Sequence, residues 1–169
     1  MPRYDVPKAA PEPLRLVQRF VNTVDHEHDR EWIGTTAELA DFLGCAETEV
    51  DLERAHELRE ALRVLLRANN GGPVDAGAVE AVNRAAAGVR LELDDRGRIV
   101  VGAEDPLAHI VAVAFRAMLE GTWPRLKACR NCKWAFYDYS KNRSASWCSM
   151  QLCGNRLKTR AYRSRRASR

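Results

Sequence analysis

CRNCKWAFYDYSKNRSASWCSMQLCGNRLKTRAYRSRR, residues 129–166, holds four of the chain's five cysteines, and their spacing decides how this end folds. Cys129 and Cys132 are separated by two residues, Cys148 and Cys153 by four, and fifteen lie between the pairs. Two close pairs with an intervening stretch of roughly 15–20 residues are the sequence form of a structural zinc site. Zinc takes four thiolates tetrahedrally at about 2.3 Å, and a segment too short and polar to bury a core of its own draws its stability from the metal. Two disulfides, or four reduced core thiols, would use the same residues. The opening MPRYDVPKAAPEPLR has no apolar signal-peptide region. The chain is therefore expected to be cytoplasmic, where thiols stay reduced and metal is favoured over disulfide. With cysteine at all four positions no coordination site is left for water, so one structural zinc is expected on Cys129, Cys132, Cys148 and Cys153. Cys45 lies far from them and reads as a small buried hydrophobe.

Charge separates the same region from the rest. Residues 124–169 hold thirteen Lys and Arg against one acid, Asp138, for a net +12; the whole chain is +4, so residues 1–123 carry −8. A Zn(Cys)4 centre of about −2 offsets only part of that excess. A basic module on an acidic body points to nucleic acid, with phosphate as the counter-charge. The candidate contacts are Lys141 and Arg143 in the polar loop 140–146, and Arg156, Lys158, Arg160, Arg163 and Arg165 in a terminal helix expected from about 153 to 166. At helical spacing Arg156, Arg160 and Arg163 form one cationic stripe, with Leu157 and Ala161 opposite. Trp134, Phe136, Tyr137 and Tyr139 alternate with polar residues and are expected on short strands whose aromatics cover the metal.

WCSMQLCGNRLKTRAYRSRR (147–166), with Cys153-Gly154-Asn155-Arg156 inside it, resembles the CGNR zinc-finger family. FYDYSKNRSASW (136–147) and FVNT (20–23) extend the likeness to nearly the whole chain. Members with this arrangement place an N-terminal domain called ABATE before the finger and are described as stress-induced transcription regulators. The resemblance thus implies an ABATE-like helical domain over 14–123, a ligand-sensor candidate, and a treble-clef-like finger over 124–169. The first thirteen residues include prolines 2, 7, 11 and 13 and are expected to form an extended arm.

Apolar periodicity predicts helices over 14–25, 36–44 and 47–69, another from Asp75 to 87, and a strongly apolar one over 105–121. Thr35 with Glu38 has capping-box form, and Asp105-Pro106 gives an N-cap followed by proline at N1. Arg59 and Arg63 are assigned to the exposed side of the long helix. Alternation over 89–101 around Asp95-Arg96-Gly97 predicts a β-hairpin. The fold class is therefore α+β: a mostly helical domain with one hairpin, plus the finger. In FVNT, Asn22 and Thr23 read first as local side-chain-to-backbone bonds near a helix end; Asn22 is also a candidate for holding a ligand or a partner segment. His109 reads as a buried, hydrogen-bonded histidine and, second, as a candidate ligand contact. His26 and His28 sit among acids in what reads as a solvated loop.

No apolar run approaches the roughly 20 residues of a membrane span. The chain shows no nucleophile–base arrangement and no phosphate-binding glycine loop, so an enzyme is not expected. The leading expectation is a cytoplasmic, nucleoid-associated transcription regulator binding double-stranded DNA, with a small-molecule effector, RNA polymerase or a second copy of itself as further partners. An adaptor docking on an acidic protein surface and an RNA-binding protein are the alternatives.

Overall fold

Residues 8–155 and Thr159 of the 169-residue chain are described in a computed structural model. Five helices make the body: α1 (Arg15–Val21), α2 (Thr36–Leu43), α3 (Leu52–Ala68), α4 (Ala76–Ala85) and α5 (Pro106–Leu119). Three antiparallel two-stranded ribbons accompany them. These are β1 (Val24–Asp25) with β2 (Arg30–Glu31), β3 (Val89–Leu93) with β4 (Ile99–Ala103), and β5 (Leu126–Ala128) with β6 (Ala135–Tyr137). Among the described residues no helix is long and apolar enough to cross a membrane.

The expected α+β class is what the chain adopts. The Thr35 hydroxyl accepts the Glu38 N–H, and the Glu38 carboxylate accepts the Thr35 N–H, completing the capping box of α2. Gly44 closes that helix at φ 71°, a left-handed position that costs glycine nothing. Asp51, Asp75 and Asp105 cap α3, α4 and α5 in the same way, each taking backbone N–H groups of the first turn that have no partner within the helix. α5 is the central element, with eight of its fourteen residues buried, among them Leu107, Ile110, Val111 and Ala114. α3 and α4 pack against each other, α4 also touches α5, and the hairpin lies against α5 mainly through β4.

Several expectations change. The first helix stops at Val21, and Val24–Asp25 pairs instead with Arg30–Glu31. Residues 47–49 form a separate 3-10 turn before α3. Arg59 and Arg63 are not on the exposed side: they are 4% and 3% exposed. Their positions continue the buried stripe of Ala55, Leu58, Leu62 and Leu66 at helical spacing, so the geometry of the helix turns them inward. His109 is exposed rather than buried, and Cys45 is only half-buried. Of the expected arm, residues 8–13 are described and run against the rest of the chain. The Lys8 carbonyl accepts the Tyr137 N–H, and Ala10 is buried.

Candidate metal centre and its junction with the body

β5 and β6 are joined by a tight turn carrying the first cysteine pair. The Cys129 N–H bonds to the Trp134 carbonyl, and the Lys133 N–H returns to the Cys129 carbonyl. Lys133 takes φ 63° to close the turn. In the second pair Cys148 precedes and Cys153 lies within a single π-turn, Met150–Gly154, whose first residue follows Ser149 as N-cap. The Cys153 and Gly154 N–H groups both reach the Ser149 carbonyl, at 3.0 and 3.1 Å. A Cβ on Gly154 would stand 2.7 Å from Met150 Sδ and 3.2 Å from Trp147 Cδ1, so a larger residue would open this turn. The helical element thus begins at Met150, ahead of the expected start near Cys153.

These two features bring all four sulfurs together. The Sγ atoms of Cys129, Cys132, Cys148 and Cys153 lie within 4.8 Å of one another, with Cys132–Cys148 at 3.5 Å and Cys148–Cys153 at 3.6 Å. A tetrahedron of thiolates about 2.3 Å from zinc has edges of about 3.8 Å, so the quartet fits the ion. Its chemistry agrees. Hydrogen bonds from Cys132 and Cys148 pull the Cys129 pKa down, while their bonds to Cys129 push those of Cys132 and Cys148 up. Four thiols this close cannot all ionise without a cation between them. The protein has one structural zinc site, and the ion's contribution is to cross-link the β5–β6 turn to the π-turn. Asn131 Nδ2 sits 3.5 Å from the Cys153 sulfur.

The strand period divides the aromatics. Phe136 faces the sulfurs, where Trp147 and Ala145 join it. Its neighbours Ala135 and Tyr137 face the other way, into the same core as Leu126, Ala128 and the helices of the body. Trp134 stands edge-on to Trp32, ring centres 6.4 Å apart, and Tyr139 is edge-on to Tyr137 at 4.7 Å. Only Phe136 of the four therefore covers the metal.

Polar groups fasten the junction. Asn22 is 2% exposed; its Nδ2 donates to the Ala135 carbonyl at 2.9 Å, and its Oδ1 accepts the Ala135 N–H at 2.7 Å. It thus completes the free edge of β6 as another strand would. Thr23 alone makes the local bond expected of the pair, donating to the Phe20 carbonyl. From α3, Arg63 donates to the Lys133 carbonyl and the Val21 carbonyl, with Glu60 as its counter-charge. Arg59 grips Glu31 with two bonds of 2.7 Å. Asn70 Nδ2 reaches the carbonyls of Ala128 and Ser146, and Arg130 Nε returns to the Asn70 carbonyl. Sequence reading missed Arg59, Arg63, Asn70 and Asn69, whose Nδ2 donates to the carbonyls of Trp123 and Leu126. The signal for the arginines was their place on the apolar stripe.

The 140–146 loop is fixed from beneath. Lys127 and Asp138, 4% and 0% exposed, pair at 2.8 Å. Asp138 also accepts the N–H groups of Ser140 and Ala145, and Lys127 donates to the carbonyls of Arg143 and Ala145. Lys141 and Arg143 are exposed on this loop, Arg143 at φ 51°. Arg125 is spent on the Asp138 and Ser140 carbonyls. Of the remaining candidate contacts, Arg156, Lys158, Arg160, Arg163 and Arg165 lie outside the described residues. In the body, His109 lines a shallow groove of about 330 Å³ with Leu16, Leu43, Ala103, Glu104, Asp105 and Pro106. His28 pairs with Asp25 and His26 with Glu60.

Residues 14–121 match a family model described as "ABATE: Putative stress-induced transcription regulator", and residues 125–166 match one described as "CGNR zinc finger". No curated protein matches the chain.

Proposed function

Because the chain belongs to the ABATE family and ends in a CGNR zinc finger, we propose that it is a transcription regulator that binds double-stranded DNA through the cations around its zinc site. The observation that supports this most strongly is the fate of the finger's single acid. Asp138 is fully buried and neutralised by Lys127, so the exposed charges on the described part of the finger are all cations: Arg130, Lys133, Lys141 and Arg143. Loop cations held on a frame fixed by zinc and by a buried ion pair lose little entropy on meeting phosphate. Arg156, Arg160 and Arg163, outside the described residues, follow in the sequence and add to the positive charge of this end. Effector binding is assigned to the body, with the groove at His109 as its described candidate, and the protein acts in the cytoplasm on the nucleoid.

Selecting bound fragments from genomic DNA with the purified full chain tests this reading. Recovery of a shared duplex sequence, lost when a chelator strips the zinc, is the expected result. Equal retention of RNA, or recovery of no duplex above background, overturns it.

A further inference from the structure

The hairpin presents an edge built to meet a second copy of itself. β3 and β4 pair without interruption from Val89↔Ala103 to Leu93↔Ile99. Opposed residues share a face, so Val89, Leu91, Leu93, Ile99 and Val101 form one apolar face. Leu91, Leu93 and Ile99 are 71%, 68% and 70% exposed. α5 packs mainly against β4, and four of the five residues of β3 are exposed. The bonds from Asp94 N–H to the Arg98 carbonyl and from Glu104 N–H to the Gly88 carbonyl fix the phase of the ladder. Even-numbered positions of β3 bond inward to β4, so the N–H and C=O groups of Leu91 and Leu93 point to the outer edge. Open edges are commonly guarded by like charge, proline or a bulge; β3 has no lysine, proline or bulge, and its two charges, Arg90 and Glu92, are of opposite sign.

Its sequence, Val89-Arg90-Leu91-Glu92-Leu93, reads with the same chemistry in both directions if Arg is exchanged for Glu. Setting two copies of β3 antiparallel about a two-fold axis at Leu91 puts Leu91 opposite Leu91, Val89 opposite Leu93, and Arg90 opposite Glu92. The outward-pointing backbone groups at Leu91 fall opposite each other in that register. Arg90 and Glu92 then occupy the closer, non-hydrogen-bonded positions where side chains meet best. β4, Ile99-Val100-Val101-Gly102-Ala103, has no charges to set such a register. We infer that the protein self-associates through β3, forming a continuous four-stranded sheet across a two-fold axis with reciprocal Arg90–Glu92 pairs. This inference is independent of DNA binding. The contact is small compared with standard interfaces of about 800 Å² per partner, so association is concentration-dependent.

Charge exchange in the full-length protein is the test, read by sedimentation over a wide concentration range. Arg90→Glu and Glu92→Arg each place like charges opposite in both halves of the symmetric pair, and each should weaken self-association roughly tenfold or more. Arg90 also pairs with the exposed Glu104 of its own chain, so circular dichroism checks that both variants keep the parent's fold. Mixing the two variants places Glu opposite Arg throughout and should restore association to near the parent's strength. The doubly exchanged Arg90→Glu/Glu92→Arg chain should do so alone. A parent that stays monomeric, single variants that associate like the parent, or a mixture no tighter than its components would each overturn the inference.

Discussion

At Asp138, burial pushes the carboxyl pKa up, but hydrogen bonds from Lys127 and Ser140 pull further the other way and hold it at about 2. A pKa depressed on folding stabilises the protein above the unfolded value of 3.8, and that gain fades as pH falls towards 2. Replacing Lys127 by Met leaves a carboxylate with no counter-charge in a fully buried position, which costs about 3–5 kcal/mol near neutral pH. Without Lys127 the carboxyl titrates higher, so the variant's deficit should shrink on mild acidification. Denaturant titrations of parent and Lys127→Met at two pH values check both points; a deficit that grows on acidification contradicts the pairing. Asn22 is the second residue to test. Asn22→Ala leaves the buried Ala135 N–H without a partner, while the carbonyl keeps the Gln18 amide at 3.1 Å, a loss of roughly 1–3 kcal/mol for one group. A loss within a few tenths of a kcal/mol would mean that water replaces the amide. Of the two residues in FVNT, Thr23 was legible because its bond is local. Asn22 was legible only through the family likeness, which made it a candidate for holding a partner segment; its local reading failed because its partner lies 113 residues away.

The starts of α2, α4 and α5 and the hairpin were legible because their causes are local: a capping oxygen, a proline at N1, a change of apolar period. The inward arginines of α3 were not, because a charged side chain on a buried stripe needs partners that only the fold supplies. Glu31 comes from β2 and the Lys133 carbonyl from the zinc turn; Glu60 alone is a neighbour on α3 itself. α3 therefore holds the metal turn as well as the core. Arg63→Ala should destabilise the protein by about 3 kcal/mol through the lost donors to the Val21 and Lys133 carbonyls. It should also speed zinc loss to a competing chelator, since Lys133 closes the turn between Cys132 and β6. Unchanged metal release in a destabilised Arg63→Ala protein would separate the helix from the site. Within the finger, the strand period explains why the aromatics divide between metal and body, a distinction that alternation alone left open. Which face met the metal depended on where the second cysteine pair came to rest.

Across the whole molecule, the family boundary falls between 121 and 125, yet the hydrophobic core runs through it. Leu126, Ala128, Ala135 and Tyr137 are buried in one cluster with Phe20, Leu58, Leu62 and Ile110. Zinc holds the outer face of β5–β6, and the body holds the inner one. An isolated 124–169 segment should therefore fail to give a dispersed NMR spectrum even with zinc. Cys148→Ser in the full chain should lose the metal while keeping the signals of α1–α5. A well-folded isolated segment would show that the shared core is not needed. The sequence placed the four ligands because zinc spacing is local, but charge counting overstated the free cations. Lys127 and Arg125 are engaged inside the finger, which composition cannot reveal. DNA binding by the zinc-held end is tested most directly by a salt titration of duplex affinity, comparing the full-length parent with Lys141→Ala/Arg143→Ala and with Arg156→Ala/Arg160→Ala/Arg163→Ala. Each phosphate contact contributes about −0.9 to the slope of log K against log salt. The parent should bind with a steep slope, shallower by roughly two units in the loop variant and three in the stripe variant. Slopes and affinities unchanged in both variants, or no duplex binding at low salt, would contradict it.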